Sequence, residues 1–75
     1  MRVTLYERVD CGLCADAYEA LRRLRIDVER VDIDTDETLQ DRYALRVPVL
    51  RRHDDELDAA GLEDGAIARW LAGPR

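Results

Sequence analysis

The sequence predicts an α/β domain of order βαβαββα, a four-stranded mixed sheet with helices on both faces. Three observations carry this prediction. A short run of strand formers, Val3-Thr4-Leu5-Tyr6, is followed by an apolar stripe of helical period, Leu13, Ala17, Ala20, Leu21 and Leu24. The strand on each side of that helix needs a crossover, so the first two strands should be parallel and the connection right-handed. Two later runs, Val47-Pro48-Val49-Leu50 and Glu56-Leu57-Asp58, are separated only by the polar stretch Arg51 to Asp55 and should pair antiparallel. At 75 residues the chain is one domain, residues 1–75, near the lower size limit for a self-sufficient core.

Each element has its own signals. Val3 to Tyr6 is bulky on both faces, which suits a central strand covered on each side. The first helix should run to about Leu24, with Asp16, Glu19, Arg22 and Arg23 outward and Glu19–Arg23 an i,i+4 ion pair; no Gly marks its end. Val28-Glu29-Arg30-Val31-Asp32-Ile33 mixes β-branched and charged residues, the pattern of an edge strand. Asp34 or Thr35 should cap a short second helix, Asp34 with Glu37 imitating a capping box, and Leu39 and Tyr43 should lie on its inner face. Leu62, Ala66, Ile67, Trp70 and Leu71 make the stripe of a last helix, stopped by Gly73-Pro74, with Trp70 read as core packing.

Composition narrows the classes of function. Apolar residues make up 47% of the chain, enough for one core, and the aromatics are only Tyr6, Tyr18, Tyr43 and Trp70. The net charge of −5 argues against a general nucleic-acid or anionic-membrane binder. There is no apolar run of membrane-spanning length, no signal-peptide pattern, no internal repeat and no linker. Two cysteines in an acidic chain without such a signal point to a reducing cytoplasm, where a pair is more often catalytic or metal-binding than a permanent staple.

The chemistry centres on Cys11-Gly12-Leu13-Cys14, which falls where the first strand turns into the first helix. Free backbone N–H groups and the positive end of the dipole favour an anion there, and a thiolate is such an anion. A free cysteine with a pKa of about 8.5 is only about 3% ionised at pH 7, and helix-terminal Cys-x-x-Cys settings lower that value. A lowering of about two pH units corresponds to ~2.7 kcal/mol. Arg8 should favour the Cys11 thiolate while Asp10 and Asp16 oppose it, leaving a modest net depression. Cys14 is expected to be buried in any case; Cys11, between Asp and Gly, is not.

Rival readings are weaker. Tetrahedral zinc wants four ligands, and the chain offers two thiols and His53, which belongs to a polar turn. Asp32-x-Asp34-x-Asp36 fails as a calcium loop because Glu37 and Tyr43 occupy the positions that need Gly and a bidentate Glu. A proline at a strand start is tolerated structurally, but a cis bond after Val47 would leave the Val47 backbone N–H and C=O free to pair with a substrate strand. Arg46, beside Val47, has a better claim than Arg51 or Arg52 to an anionic substrate end.

Cys-x-x-Cys after the first strand, with Val47-Pro48 opening a later one, resembles the thioredoxin superfamily, and the hairpin-then-helix ending resembles its glutaredoxin-like branch. The segments Tyr6 to Cys14, Val31-Asp32-Ile33-Asp34, Tyr43 to Leu50 and Glu56-Leu57-Asp58 resemble, more closely, small bacterial glutaredoxin-like proteins of unassigned function. The resemblance covers nearly the whole chain. It implies a thioredoxin-like fold and a small thiol-disulfide oxidoreductase, with Cys11 the exposed nucleophile and Cys14 the buried resolving thiol. It further implies that Pro48 is cis and faces the sulfurs, that the Val47 backbone pairs with an extended substrate, and that Arg8 sits near the thiolate and a glutathione carboxylate. Two departures bear on glutathione: Gly12-Leu13 stands in place of Pro-Tyr, and Ala59 to Asp64 replaces a Gly-Gly-x-Asp segment.

The resulting expectation is a cytoplasmic monomer without a bound cofactor, acting on protein disulfides or glutathionylated proteins. Glutathione or a thioredoxin-reductase-type donor would return the electrons. The alternatives are a non-catalytic thioredoxin-fold binding or scaffold module, and a metal or iron–sulfur carrier that uses Cys11.

Overall fold

In the computed structural model, residues 2–73 are described. The chain forms β1 (Arg2–Glu7), α1 (Gly12–Arg23), β2 (Asp27–Asp32), a 3₁₀ turn (Ile33–Thr35), α2 (Glu37–Tyr43), β3 (Val49–Arg52), β4 (Asp55–Asp58) and α3 (Asp64–Ala72). The sheet order is β2-β1-β3-β4. β1 and β2 are parallel from Arg2↔Asp27 to Glu7↔Asp32, and β1 and β3 are antiparallel with Leu5 opposite Leu50 and Tyr6 opposite Val49. β3 and β4 form an antiparallel hairpin from Val49↔Asp58 to Arg52↔Asp55. This is the thioredoxin-like arrangement expected, with helices on both faces.

Side chains alternate across a strand, and the two central strands therefore feed two cores. Val3, Leu5 and Leu50 point to one face and join Ala17, Ala20 and Leu21 of α1, Ala59, and Ile67 and Leu71 of α3. Tyr6 and Val49 point to the other face, where they meet Ile33 and Tyr43 beneath α2. β2 is an edge strand, and its exposed Glu29 and Arg30 discourage further pairing there. Trp70 packs, half-buried, on the larger cluster, with the Arg52 guanidinium 5.2 Å from its ring centroid.

Several local details differ from the sequence reading. The 3₁₀ turn takes up Ile33 to Thr35, so α2 begins later than expected and its cap is Asp36, whose carboxylate accepts the N–H groups of Thr38 and Leu39. Arg23 makes its two-pronged ion pair with Asp64 instead of with Glu19, because the N-terminus of α3 lies beside α1. The hairpin turn is only His53-Asp54, with His53 at φ 58, since Arg51 and Arg52 belong to β3 and Asp55 to β4. Leu62 precedes α3 instead of lying on it, and Pro74 falls outside the described residues.

Candidate active site

β1 ends at Glu7, and four residues carry the chain across the end of the sheet to α1. Asp10 bends that connection with φ 60, a left-handed conformation that Asp tolerates better than most residues. Cys11 then takes extended backbone and serves as the N-cap of α1. Its Sγ accepts the N–H of Cys14 at 3.1 Å, doing with sulfur what Ser or Asp oxygens do at other helix starts. The first turn of α1 carries no acidic residue, so nothing within it opposes the positive end of the helix.

Cys11 and Cys14 are joined as a disulfide, with their Cα atoms 5.2 Å apart. Cys14 is 1% exposed, on the inner stripe of α1, whereas Cys11 is partly open to solvent. The exposed apolar side chains of Val9 and Leu13, 70% and 49% accessible, flank Cys11 in the sequence. A groove of about 520 Å³ runs beside Cys11, bounded by Arg8, Val9, Asp10, Gly12, Arg30 and Asp32 among others. Asp16 lies elsewhere, in a second groove with Glu19, Arg23 and Glu63.

The sheet register brings the Val47–Pro48 segment to the same end of the molecule. Tyr6, one residue short of the end of β1, pairs with Val49, so the residues just before Val49 lie level with the point where β1 leaves for the cysteines. The Val47–Pro48 peptide bond is cis, and Pro48 is fully buried. Neither residue lines the groove beside Cys11. One detail of the sequence reading is corrected: the Val47 N–H is not free. It donates to the Tyr43 carbonyl at 3.0 Å, and that carbonyl also receives the Arg46 N–H at 2.8 Å. The last turn of α2 thus clamps the entry to β3.

Both candidate arginines are tied to carboxylates. Arg8 lines the groove, yet its Nε and Nη2 both reach Asp34, the shortest contact being 3.0 Å. Arg46 binds Glu56 at 3.0 Å and Asp58 at 2.9 Å, joining the end of α2 to β4. Glu56 also accepts the Tyr43 hydroxyl at 2.6 Å, and the Tyr43 ring stacks on Tyr6 with centroids 4.3 Å apart. A linked set of aromatic and charged side chains therefore runs from β4 to the end of β1.

Sequence reasoning missed the partners Asp34, Glu56 and Asp58, and the pair formed by Arg30 and Glu7 at 2.7 Å. The last was available in principle, because parallel pairing of β1 with β2 sets Glu7 opposite Asp32 and leaves Arg30, two residues back on the same face, diagonal to it. The three carboxylates weighed as a calcium loop have separate tasks: Asp32 caps the 3₁₀ turn, Asp34 holds Arg8 and Asp36 caps α2. Among the described residues no three His, Cys, Asp or Glu side chains are grouped to hold a metal ion. No helix among them is long and apolar enough to cross a membrane.

The sequence matches the family model described as Glutaredoxin-like domain (DUF836) over residues 2–72. The chain belongs to the glutaredoxin-like family. Comparison with the curated proteins gives no match. Among solved structures, the X-ray structure of target protein XcR50 from X. campestris has a TM-score of 0.88 at 44% identity, over 96% of this chain and 99% of that one. NrdH-redoxin from Escherichia coli, described as a glutaredoxin-like protein with a thioredoxin-like activity profile, has a TM-score of 0.73 at 26% identity, over 99% and 100%. A glutaredoxin from Archaeoglobus fulgidus, 22% identical with a TM-score of 0.70 over 95% of this chain and 86% of that one, shares the fold. The glutaredoxin-like fold and the linked Cys11–Cys14 pair support a thiol oxidoreductase-like role.

Proposed function

We propose that this glutaredoxin-like protein is a dithiol oxidoreductase that reduces disulfides of proteins, including adducts with small thiols. The observation that carries the reading is the placement of the two sulfurs. Cys11 is accessible at the N-cap of α1, in hydrogen-bond contact with a backbone N–H, and bonded to a buried Cys14 one helical turn on. The N–H that meets Sγ in the disulfide is placed to stabilise the Cys11 thiolate once the pair is reduced.

In the reduced protein, the Cys11 thiolate attacks one sulfur of the substrate disulfide. The substrate S–S bond breaks, a Cys11–substrate disulfide forms, and the other substrate sulfur leaves as a thiolate. Cys14 then attacks the Cys11 Sγ, losing its proton to solvent or to the departing sulfur. This releases the second substrate thiol and regenerates the Cys11–Cys14 bond. Two electrons pass from the protein to the substrate, and a dithiol donor of the thioredoxin-reductase type returns them. Val47 and Pro48, at the same end of the sheet, would steady an extended substrate. The Val47 N–H is already committed and Pro48 is buried, so that contact would fall to the Val47 carbonyl. Arg46 would have to exchange a carboxylate to meet a substrate anion.

Cys14→Ser tests the assignment of roles. The variant should form a stable mixed disulfide with a peptide disulfide through Cys11, visible by mass spectrometry, and fail to turn over. Cys11→Ser should form none. Clean dithiol turnover by Cys14→Ser, or an adduct on Cys14 alone in wild-type protein, contradicts the mechanism. A pure binding module would show no thiol exchange in either assay.

A further inference from the structure

We propose that Asp34 sets substrate choice at Cys11: by holding Arg8 in a two-pronged ion pair it closes the groove to the carboxylates of glutathione and leaves it to neutral or basic segments of a disulfide-bonded protein. This rests on the redox reading above and adds a specificity determinant to it.

The groove beside Cys11 holds two cations, Arg8 and Arg30. Neither faces an incoming anion unopposed. Arg30 is bound by Glu7 at 2.7 Å and stacked over the Tyr18 ring at 3.9 Å. Arg8 is bound through Nε and Nη2 by Asp34, which with Asp32 answers its charge. Asp10 and Asp32 line the same groove. Once the two pairs are matched, the remaining charge there is negative. Glutathione carries two carboxylates and one ammonium, so it is a net anion entering a site of its own sign. Like charges brought together lower the rate of encounter as well as the affinity. A protein segment with uncharged or basic residues next to its disulfide meets no such opposition, and Val9 offers it an exposed apolar contact.

The pair is a mask because Arg8 itself is well placed. It lies three residues before Cys11 and lines the same groove, so removing Asp34's charge should turn it into an anion site. The experiment uses pre-reduced protein, freed of reductant, in single-turnover reaction with two symmetrical disulfides: oxidised glutathione, which is anionic, and cystamine, which is cationic. The readout is the ratio of their rates. A change in the reactivity of Cys11 alone moves both rates by one factor and leaves the ratio where it was.

Asp34→Asn should raise the glutathione-to-cystamine ratio by about fivefold or more at low salt, with most of the gain lost at high salt. The double variant Asp34→Asn with Arg8→Gln, which replaces a neutral pair by a neutral pair, should return to within about twofold of the wild-type ratio. If Asp34→Asn leaves the ratio unchanged, or the double variant falls well below wild type, Arg8 already serves anions with Asp34 present and the inference is overturned while the redox reading stands. If reduced wild-type protein reacts with neither disulfide, the redox reading fails and the inference fails with it.

Discussion

Tyr43 is 1% exposed, packed with Tyr6, Ile33 and Val49, yet its hydroxyl donates to the Glu56 carboxylate at 2.6 Å. Burial first, then the hydrogen bond and charge of Glu56, pushes its pKa from 10.0 up to about 12. The same hydrogen bond, with help from Arg46 and against the effect of burial, holds Glu56 below its ordinary value of 4.5. The two shifts act at opposite ends of the pH scale. For Glu56, the unfolded chain takes up the proton first, so its contribution to stability is present above pH 4.5 and lost as pH falls through the folded value. For Tyr43, the unfolded chain loses the proton first, so stability is present below pH 10.0 and lost as pH rises towards about 12. Tyr43→Phe should cost about 1 kcal/mol at pH 7 and flatten the alkaline loss, as measured by urea unfolding at pH 7 and pH 11. A variant whose stability falls as steeply as wild type across that range would refute the role given to the hydroxyl. Partnerships of this kind were not legible in the sequence. Arg8 and Asp34 stand 26 residues apart, and only the fold brings them together.

Elements were easier to read than the devices that end them. The stripes of α1 and α3 placed those helices, because burial of one face leaves a period in the sequence, and the run of bulky strand formers from Val3 to Tyr6 placed β1. The end of α1 left no such trace. Leu24 is its C-cap, and the following residue, Arg25, takes φ 60 in the position where Gly is usual. Ile26 N–H then bonds the Leu21 carbonyl and Arg25 N–H the Arg22 carbonyl, the paired bonds of a Schellman close. An arginine in that position conceals the stop from a search for glycine. It also carries a cost. Arg25→Gly should stabilise the protein by about 0.5–1 kcal/mol, the relief of left-handed strain being partly offset by the freedom of Gly in the unfolded chain. Arg25→Ala, which keeps the Cβ, should give no gain; equal effects of the two in thermal unfolding would point to the lost charge instead. The start of α2 was misread for a related reason. Asp32, Asp34 and Asp36 are all suitable caps, and sequence alone does not show that a 3₁₀ turn separates the first from the last.

The molecule as a whole is a sheet between two unequal cores. Among the described residues, nine buried side chains pack together on the α1 and α3 face and four on the α2 face. α1 buries Cys14, Ala17, Ala20 and Leu21 completely or nearly so, whereas the seven residues of α2 bury only Tyr43. Local opening follows buried apolar contact, so native-state hydrogen exchange should find the amides of α2 at least about tenfold less protected than those in the middle of α1. Equal protection would mean that the two faces open as one unit. Two covered faces were legible from the bulky residues on both sides of β1, but not their inequality, which depends on how much of the short second helix the 3₁₀ turn displaces. The Tyr43 carbonyl that clamps the Val47 N–H belongs to the weaker face. Warming should therefore release the segment leading into β3 while the larger core holds. Enzymatic turnover, if it depends on that segment as proposed, will fade at temperatures where circular dichroism still shows an intact protein.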